Sequence, residues 1–344
     1  MHMADALVSP AVGGTMWAAS AGLIGYCSQK VKKELDNGKV PLMGVLGAFI
    51  FAAQMINFSI PATGSSGHLG GGMILAILLG PYAAFLTIAS VLTVQALFFA
   101  DGGLLALGCN IFNLGFSPCF MAYPFIYKKI AGYRATRVRI LTGALLASVL
   151  GLQLGSLGVV LQTVLSGITE LPMNSFILLM QPIHLAIGLV EGIATAAVVL
   201  FIWKSRPEIL ENAAAAVPLG SLPLKNILVG ILAATLFIGG AFSWFASTHP
   251  DGLEWSMAKT SGSEELKTPE TGLHGSLSRI QQIFSFLPDY GFKNSAEPEP
   301  QGTTTLPAVD AGTSLSGLVG GALTLVMVML IGFFIKKRKG QKLG

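Results

Sequence analysis

Charge is scarce in this sequence. Only 11% of its 344 residues are Asp, Glu, Lys or Arg, against about 25% in an ordinary soluble domain. With a mean hydropathy of +0.68, the chain reads as a membrane protein, and no nucleic-acid partner is expected. Cysteine is scarce too. Cys27, Cys109 and Cys119 all lie in apolar stretches, with no CxxC pair and no secreted disulfide framework, so they read as buried thiols. No GxxxxGK[ST] phosphate loop is present, which excludes a P-loop ATPase. Neither HExxH nor GxSxG occurs, so nothing supports an intramembrane enzyme. No internal repeat is seen, and many secondary carriers have one. Residues 1–10 lack Lys and Arg, so there is no charged region of a signal peptide. Met1 and His2 are expected to remain in the mature protein.

What is present is a series of apolar runs, several long enough for the ~20 residues that a bilayer crossing needs. Glycine is abundant, at 42 residues, which suits close helix packing in lipid. Crossings are expected at about 10–27, 41–59, 82–100, 104–127, 140–168 and 176–203, with a short apolar segment at 73–79. Between them lie a polar segment at 30–39, a glycine-rich loop at 60–72 and a basic loop at 128–139. Positive charge in short loops marks the cytoplasmic side. Lys30, Lys32, Lys33 and Lys39, then Lys128 to Arg139, then Lys204 and Arg206, are therefore inside. The N-terminus and loop 60–72 are outside. Parity then demands one or three crossings between Gly72 and Lys128. Three fit, provided that residues 70–79 form a short, half-depth helix covered by protein.

The fold class expected is an all-α integral membrane protein: a seven-helix substrate-binding body plus a two-helix C-terminal hairpin with a long extracytoplasmic loop. The body is 1–206, the linker 207–223 and the hairpin unit 224–344. Its crossings are placed at 224–245 and 315–335. Between them, residues 247–311 carry nine acidic and four basic residues, rich in Pro and Ser, and read as weakly ordered. The tail Lys336-Lys337-Arg338-Lys339 is inside by the same charge rule, which puts 247–311 outside and the C-terminus in the cytoplasm.

Met1-His2 is a chelate by chemistry. A free α-amine, the His2 amide nitrogen once a metal has displaced its proton, and the His2 Nδ1 give three nitrogens in one plane. Ni(II) and Cu(II) accept such planar nitrogen sites. A further imidazole completes the plane, and His68 in Gly64-Ser65-Ser66-Gly67-His68-Leu69-Gly70-Gly71-Gly72 is on the same side by topology. The plainer reading is that any protein can begin Met-His and that a lone His in a glycine loop is simply exposed.

Met1-His2-Met3-Ala4-Asp5-Ala6-Leu7-Val8-Ser9-Pro10, the Gly67–Gly72 loop and Asn110-Ile111-Phe112-Asn113-Leu114-Gly115 resemble the substrate-capture subunits of nickel and cobalt energy-coupling-factor transporters, over about residues 1–205. His249-Pro250-Asp251-Gly252-Leu253-Glu254-Trp255 resembles the small two-helix accessory subunit of the same systems, fused here into one chain. The resemblance implies that Met1, His2 and His68 bind the metal, with Asn110, Asn113 and Ser66 supporting the site. It implies a non-catalytic subunit of the prokaryotic inner membrane, with no intrinsic cofactor. Its partners would be a transmembrane coupling subunit and two ATPase subunits. Ni2+ is the expected cargo. Co2+, feeding cobalamin biosynthesis, is the alternative.

Gly14, Ala18 and Gly22, with Ala21 and Gly25, form a small-residue stripe on the first helix. It either docks a partner helix or packs inside the protein. His184 and Glu191, seven apart, share a helix face. They are either an ion path, as a stand-alone carrier would need, or a polar pair between helices. His249 and His274 either gather cations in the acidic loop or are simply solvated. Pro250-Asp251-Gly252 reads as a turn, with Leu253 and Trp255 docking it onto the membrane or the body.

Overall fold

The computed structural model describes residues 1–132, 135–293 and 309–340. Arg134 of the basic loop, part 294–308 of the acidic segment and residues 341–344 lie outside the described residues, as do the side chains of Arg338 and Lys339. The described chain is almost wholly helical.

Helix α1 (Pro10–Val31) starts with Pro at its first position and Ser9 as N-cap, both of which suit a helix N-terminus. Helix α2 (Lys39–Gln54) is buried along its whole length. The Lys39 ammonium is tolerated there because Glu34 pairs with it at 2.5 Å. A strand pair follows, β1 (Phe58–Ile60) against β2 (Ser65–Gly67), antiparallel, with Ser59 opposite Ser66. Helix α3 (Gly72–Leu79) is the short helix expected from parity, and all eight of its residues are buried. Helix α4 (Pro81–Phe98) comes next. Helix α5 (Leu107–Ile111) runs into a π-wound stretch, Phe112–Tyr127, and then α6 (Lys128–Ala131). Pro118 and Pro124 sit in the π stretch. Each lacks the N–H that an α ladder uses, so the winding loosens there.

Helices α7 (Arg137–Ser166) and α8 (Met173–Ser205) pack against each other, α9 (Pro207–Ala215) lies against α3 and α8, and α10 (Lys225–Gly240) packs on α2. Then come α11 (Gly252–Ser261) and α12 (Gly272–Phe284), which cap the body, and α13 (Ala311–Gly340), which packs along α2. Among the described residues, four helices are long and apolar enough to cross a membrane: Pro81–Phe98, Arg137–Ser166, Met173–Ser205 and Ala311–Lys337. Helices α2 and α10 are apolar but shorter. Leu141, Leu165, Leu178, Ile193 and Phe333 are exposed on the long helices, as a lipid-facing surface requires. The chain is a multi-pass, all-α membrane protein.

The segment read as weakly ordered is folded from Ser247 to Lys293. It holds two helices and the 3-10 turn Pro288–Tyr290. Long-range bonds account for this. His274 Nε2 lies 2.9 Å from the Val8 carbonyl, and Gln281 donates to the carbonyls of Ala96 and Gly102 at 2.8 and 2.7 Å. His274 is accordingly buried rather than solvated, while His249 is exposed. The three cysteines are buried and free. The basic end of the hairpin unit meets the 30–39 segment, where Lys336 bonds Asn37 and the Gly220 amide donates to Asp36 at 2.7 Å.

Candidate metal centre

The first residues are pinned by α5 and the turn before it. The Met3 amide donates to Asn110 Oδ1 at 2.8 Å, and Asn110 Nδ2 returns a bond to the Met3 carbonyl at 3.2 Å. The Gly103 amide donates to that carbonyl at 2.9 Å. The Ala106 amide donates to Asp5 at 2.9 Å. Asn113 exchanges amide bonds with Gln162 at 2.8 and 3.0 Å and places its Nδ2 3.8 Å from the Met3 sulfur. Both asparagines therefore hold Met3, and neither contacts an imidazole among these bonds.

The second wall is the hairpin. Strand β2 delivers His68 to the top of α3. Gly71 then takes a φ of 75°, and a Cβ on it would stand 2.6 Å from Ile50. Only glycine permits that turn. The Glu191 carboxylate accepts from the Gly70 and Gly71 amides at 2.9 and 3.1 Å. An anionic group at these free amides is favoured at a helix N-terminus. Glu191 therefore braces the His68 loop. Gln54 adds a bond to the Gly70 carbonyl at 2.8 Å.

These walls meet at the Met1 amine. It lies 3.0 Å from His68 Nε2 and forms an ion pair with Asp251. His68 Nδ1 is 3.1 Å from the Leu69 carbonyl, an acceptor, so the neutral ring presents a lone pair at Nε2. The His2 ring stacks on His68 with centroids 4.9 Å apart and planes at 15°. His2 Nδ1 is 3.2 Å from Asp101, and Asp101 accepts from the Tyr290 hydroxyl at 2.5 Å. Burial, and then the terminal ammonium, push the pKa of His2 and of His68 down to about 3. Both rings are neutral near pH 7, as ligands must be. Burial alone would raise Asp251, but the Met1 ammonium holds it below the usual carboxylate range.

A Met1-His2 chelate puts the amide between the amine and Nδ1. The fourth planar position then lies beside the amine. Donors at about 2.0–2.1 Å from a metal stand about 2.9 Å apart when adjacent in a square. The Met1–His68 spacing of 3.0 Å matches this. His2 Nδ1 faces Asp101. Among the described residues, no three His, Cys, Asp or Glu side chains come together closely enough to hold an ion.

The third wall comes from the hairpin unit. The Ser66 amide donates to the Pro250 carbonyl at 2.8 Å and its hydroxyl to the His249 carbonyl at 2.7 Å. Ser66 thus fastens this wall. Asp251 and Glu254 form a capping box that starts α11, Leu253 is buried, and Trp255 Nε1 donates to the Thr63 carbonyl at 3.0 Å. Pro250-Asp251-Gly252, read as a turn, is instead the extended N-cap and first residue of α11, because the Asp251 side chain caps that helix; Leu253 and Trp255 dock it onto the body. The Asp251 contact with Met1, and the Asp101–Tyr290 support under His2, were not legible. The one signal for Asp251 was the Asp-x-x-Glu capping pattern. Beside His2 lies a cavity of about 350 Å³ whose lining includes Asp101, Asp251, Glu254, Glu264, Glu265 and Asp289. Gly14, Ala18 and Gly22 are exposed on α1, and a Cβ at either glycine would meet nothing within 4 Å. The stripe is not an internal packing face.

Residues 2–209 match the family described as the cobalt uptake substrate-specific transmembrane region, and residues 225–337 match the PDGLE domain. An Archaeoglobus fulgidus protein, described provisionally as a fused nickel transport protein, is 32% identical over 98% of this chain and 98% of its own. The fused nickel transport protein of Rhodobacter capsulatus is 30% identical over 84% of this chain and 88% of its own. A crystal structure of a truncated transition metal transporter is similar with a TM-score of 0.53 and 31% identity, over 60% of this chain and 99% of that one. The chain thus belongs to the cobalt uptake substrate-specific transmembrane family, in the fused form that carries a C-terminal PDGLE domain.

Proposed function

We propose that the chain is the substrate-capture component of an energy-coupling-factor importer, taking Ni2+ at the extracytoplasmic face for delivery across the inner membrane. The observation that carries this reading is the 3.0 Å approach of the Met1 amine to His68 Nε2, with the His2 ring stacked alongside. In this reading the donors are the Met1 amine, the His2 amide and imidazole, and His68. Four planar nitrogens suit Ni(II), and the nickel transport named for two fused relatives agrees. Co2+ is the alternative cargo. Asn110, Asn113 and Ser66 hold the pieces that carry the ligands.

Residues 1–206 act as the capture unit and 224–344 as the accessory unit, joined by 207–223. The N-terminus and the acidic cavity face outward, where the cavity's negative charge draws in cations. The basic C-terminus is cytoplasmic. The chain is non-catalytic: separate ATPase subunits supply energy through a membrane coupling subunit, which docks on the exposed Gly14–Ala18–Gly22 stripe.

The test is Ni2+ titration of purified protein with its native terminus, compared with protein carrying two extra residues before Met1 and with His68→Ala. Both changes are expected to weaken binding at least 100-fold. Equal affinity in the extended protein would overturn the assignment of the amine.

A further inference from the structure

His184 is buried in α8, 1% exposed. Its Nδ1 lies 2.8 Å from the Met180 carbonyl. A carbonyl only accepts, so the hydrogen sits on Nδ1 and the neutral ring has its lone pair on Nε2. That Nε2 is buried and has no hydrogen-bond partner among the described residues. A buried acceptor left unpaired is costly and calls for a reason. His68 shows the same pattern, with Nδ1 on a main-chain carbonyl and Nε2 turned to Met1. Metal-binding imidazoles are commonly oriented in this way, through the other ring nitrogen.

The two histidines border one cavity, together with Met1, Gly70, Asp251 and Gly252. Its free volume is about 10 Å³, close to what one water needs. A dehydrated divalent cation is no larger. Gly252 of the PDGLE segment roofs it. A Cβ there would stand 3.1 Å from His184 Cε1, so the roof lies directly on the ring.

The planar chelate cannot form in one step. A metal displaces the His2 amide proton only once other donors already hold it nearby. We propose that His184 is a loading ligand: an entering divalent cation is first held by Nε2 of His184 and of His68 beside the Asp251 carboxylate, and then passes to the Met1–His2 chelate. This rests on the N-terminal site proposed above. No three such side chains stand at coordinating separation among the described residues, so the position forms around the ion and releases it readily. Weak intermediate binding is what onward passage requires.

The test uses full-length protein mixed rapidly with Co2+, followed by visible absorption. The unaltered chain is expected to give a fast phase, for loading, and a slow phase, for chelation. His184→Phe keeps a ring of similar shape without nitrogen. It is expected to lose the fast phase and slow the second phase at least 10-fold. His68→Ala, which removes a ligand common to both positions, is expected to lose both phases, and two residues added before Met1 are expected to lose the slow phase alone. A fast phase of unchanged rate and amplitude in His184→Phe overturns the proposal. An unchanged slow phase in the protein extended before Met1 overturns the N-terminal site itself, which separates the two failures. Should His184→Phe fail to give monodisperse protein, His184→Gln, whose amide can still donate to the Met180 carbonyl, serves in its place with the same expected loss.

Discussion

Asn110 grips the Met3 peptide at both ends, accepting from its N–H at 2.8 Å and donating to its carbonyl at 3.2 Å. This clasp places Met1 and His2 through the residue that follows them. Asn110→Ala leaves the buried Met3 N–H unpaired and takes one of two donors from the Met3 carbonyl. Loss of such supporting groups typically weakens a metal site about 10–100-fold. Ni2+ affinity is expected to fall within that range, with Asn110→Asp intermediate because it keeps the acceptor and loses the donor. Calorimetric titration of the two variants checks the order. Equal affinity in all three proteins would remove Asn110 from the site.

Glu191 braces the loop before α3 through the Gly70 and Gly71 amides. Glu191→Ala leaves both amides buried and unpaired, at roughly 1–3 kcal/mol each. Its thermal midpoint in detergent is expected to drop by several degrees, and Ni2+ affinity with it, since His68 is two residues away. Glu191→Gln retains one acceptor oxygen and is expected to lose about half as much stability. If instead Glu191→Ala melts normally and only ion flux changes, the residue serves an ion path and the bracing role is wrong.

Trp255 ties α11 to the hairpin by its bond to the Thr63 carbonyl. Trp255→Ala removes both the bond and the ring packing. The 247–293 segment is expected to open more often and to be cut several-fold faster by a protease added to the purified protein, because cleavage of a local opening tracks its population. Cleavage at the unaltered rate would show that Ser66 and the other bonds suffice to hold it.

Much of the fold was written in the pattern of charge and apolar runs. The buried α3 followed from charge parity together with the short apolar run 73–79; parity put His68 on the side of the N-terminus, and its pairing with Met1 and His2 came with the resemblance. Asn110 was reached only through resemblance, because a clasp on Met3 leaves no mark in local sequence. Asp251 was harder still: its partner is 250 residues away, and no periodicity records such a pairing. The order of 247–293 was misjudged for a related reason. Composition measures how little apolar surface a segment has. It does not register a capping box, or a buried histidine bonded to Val8.

The Met1–Asp251 contact also bears on supply. Were the PDGLE unit a separate subunit, each ion site would be completed only after two molecules had met in the bilayer. Within one chain the third wall is tethered to the first, and its effective concentration does not fall with dilution. Each translated copy therefore brings its own wall in a fixed one-to-one ratio. The number of complete sites then follows synthesis directly, even where the protein is sparse.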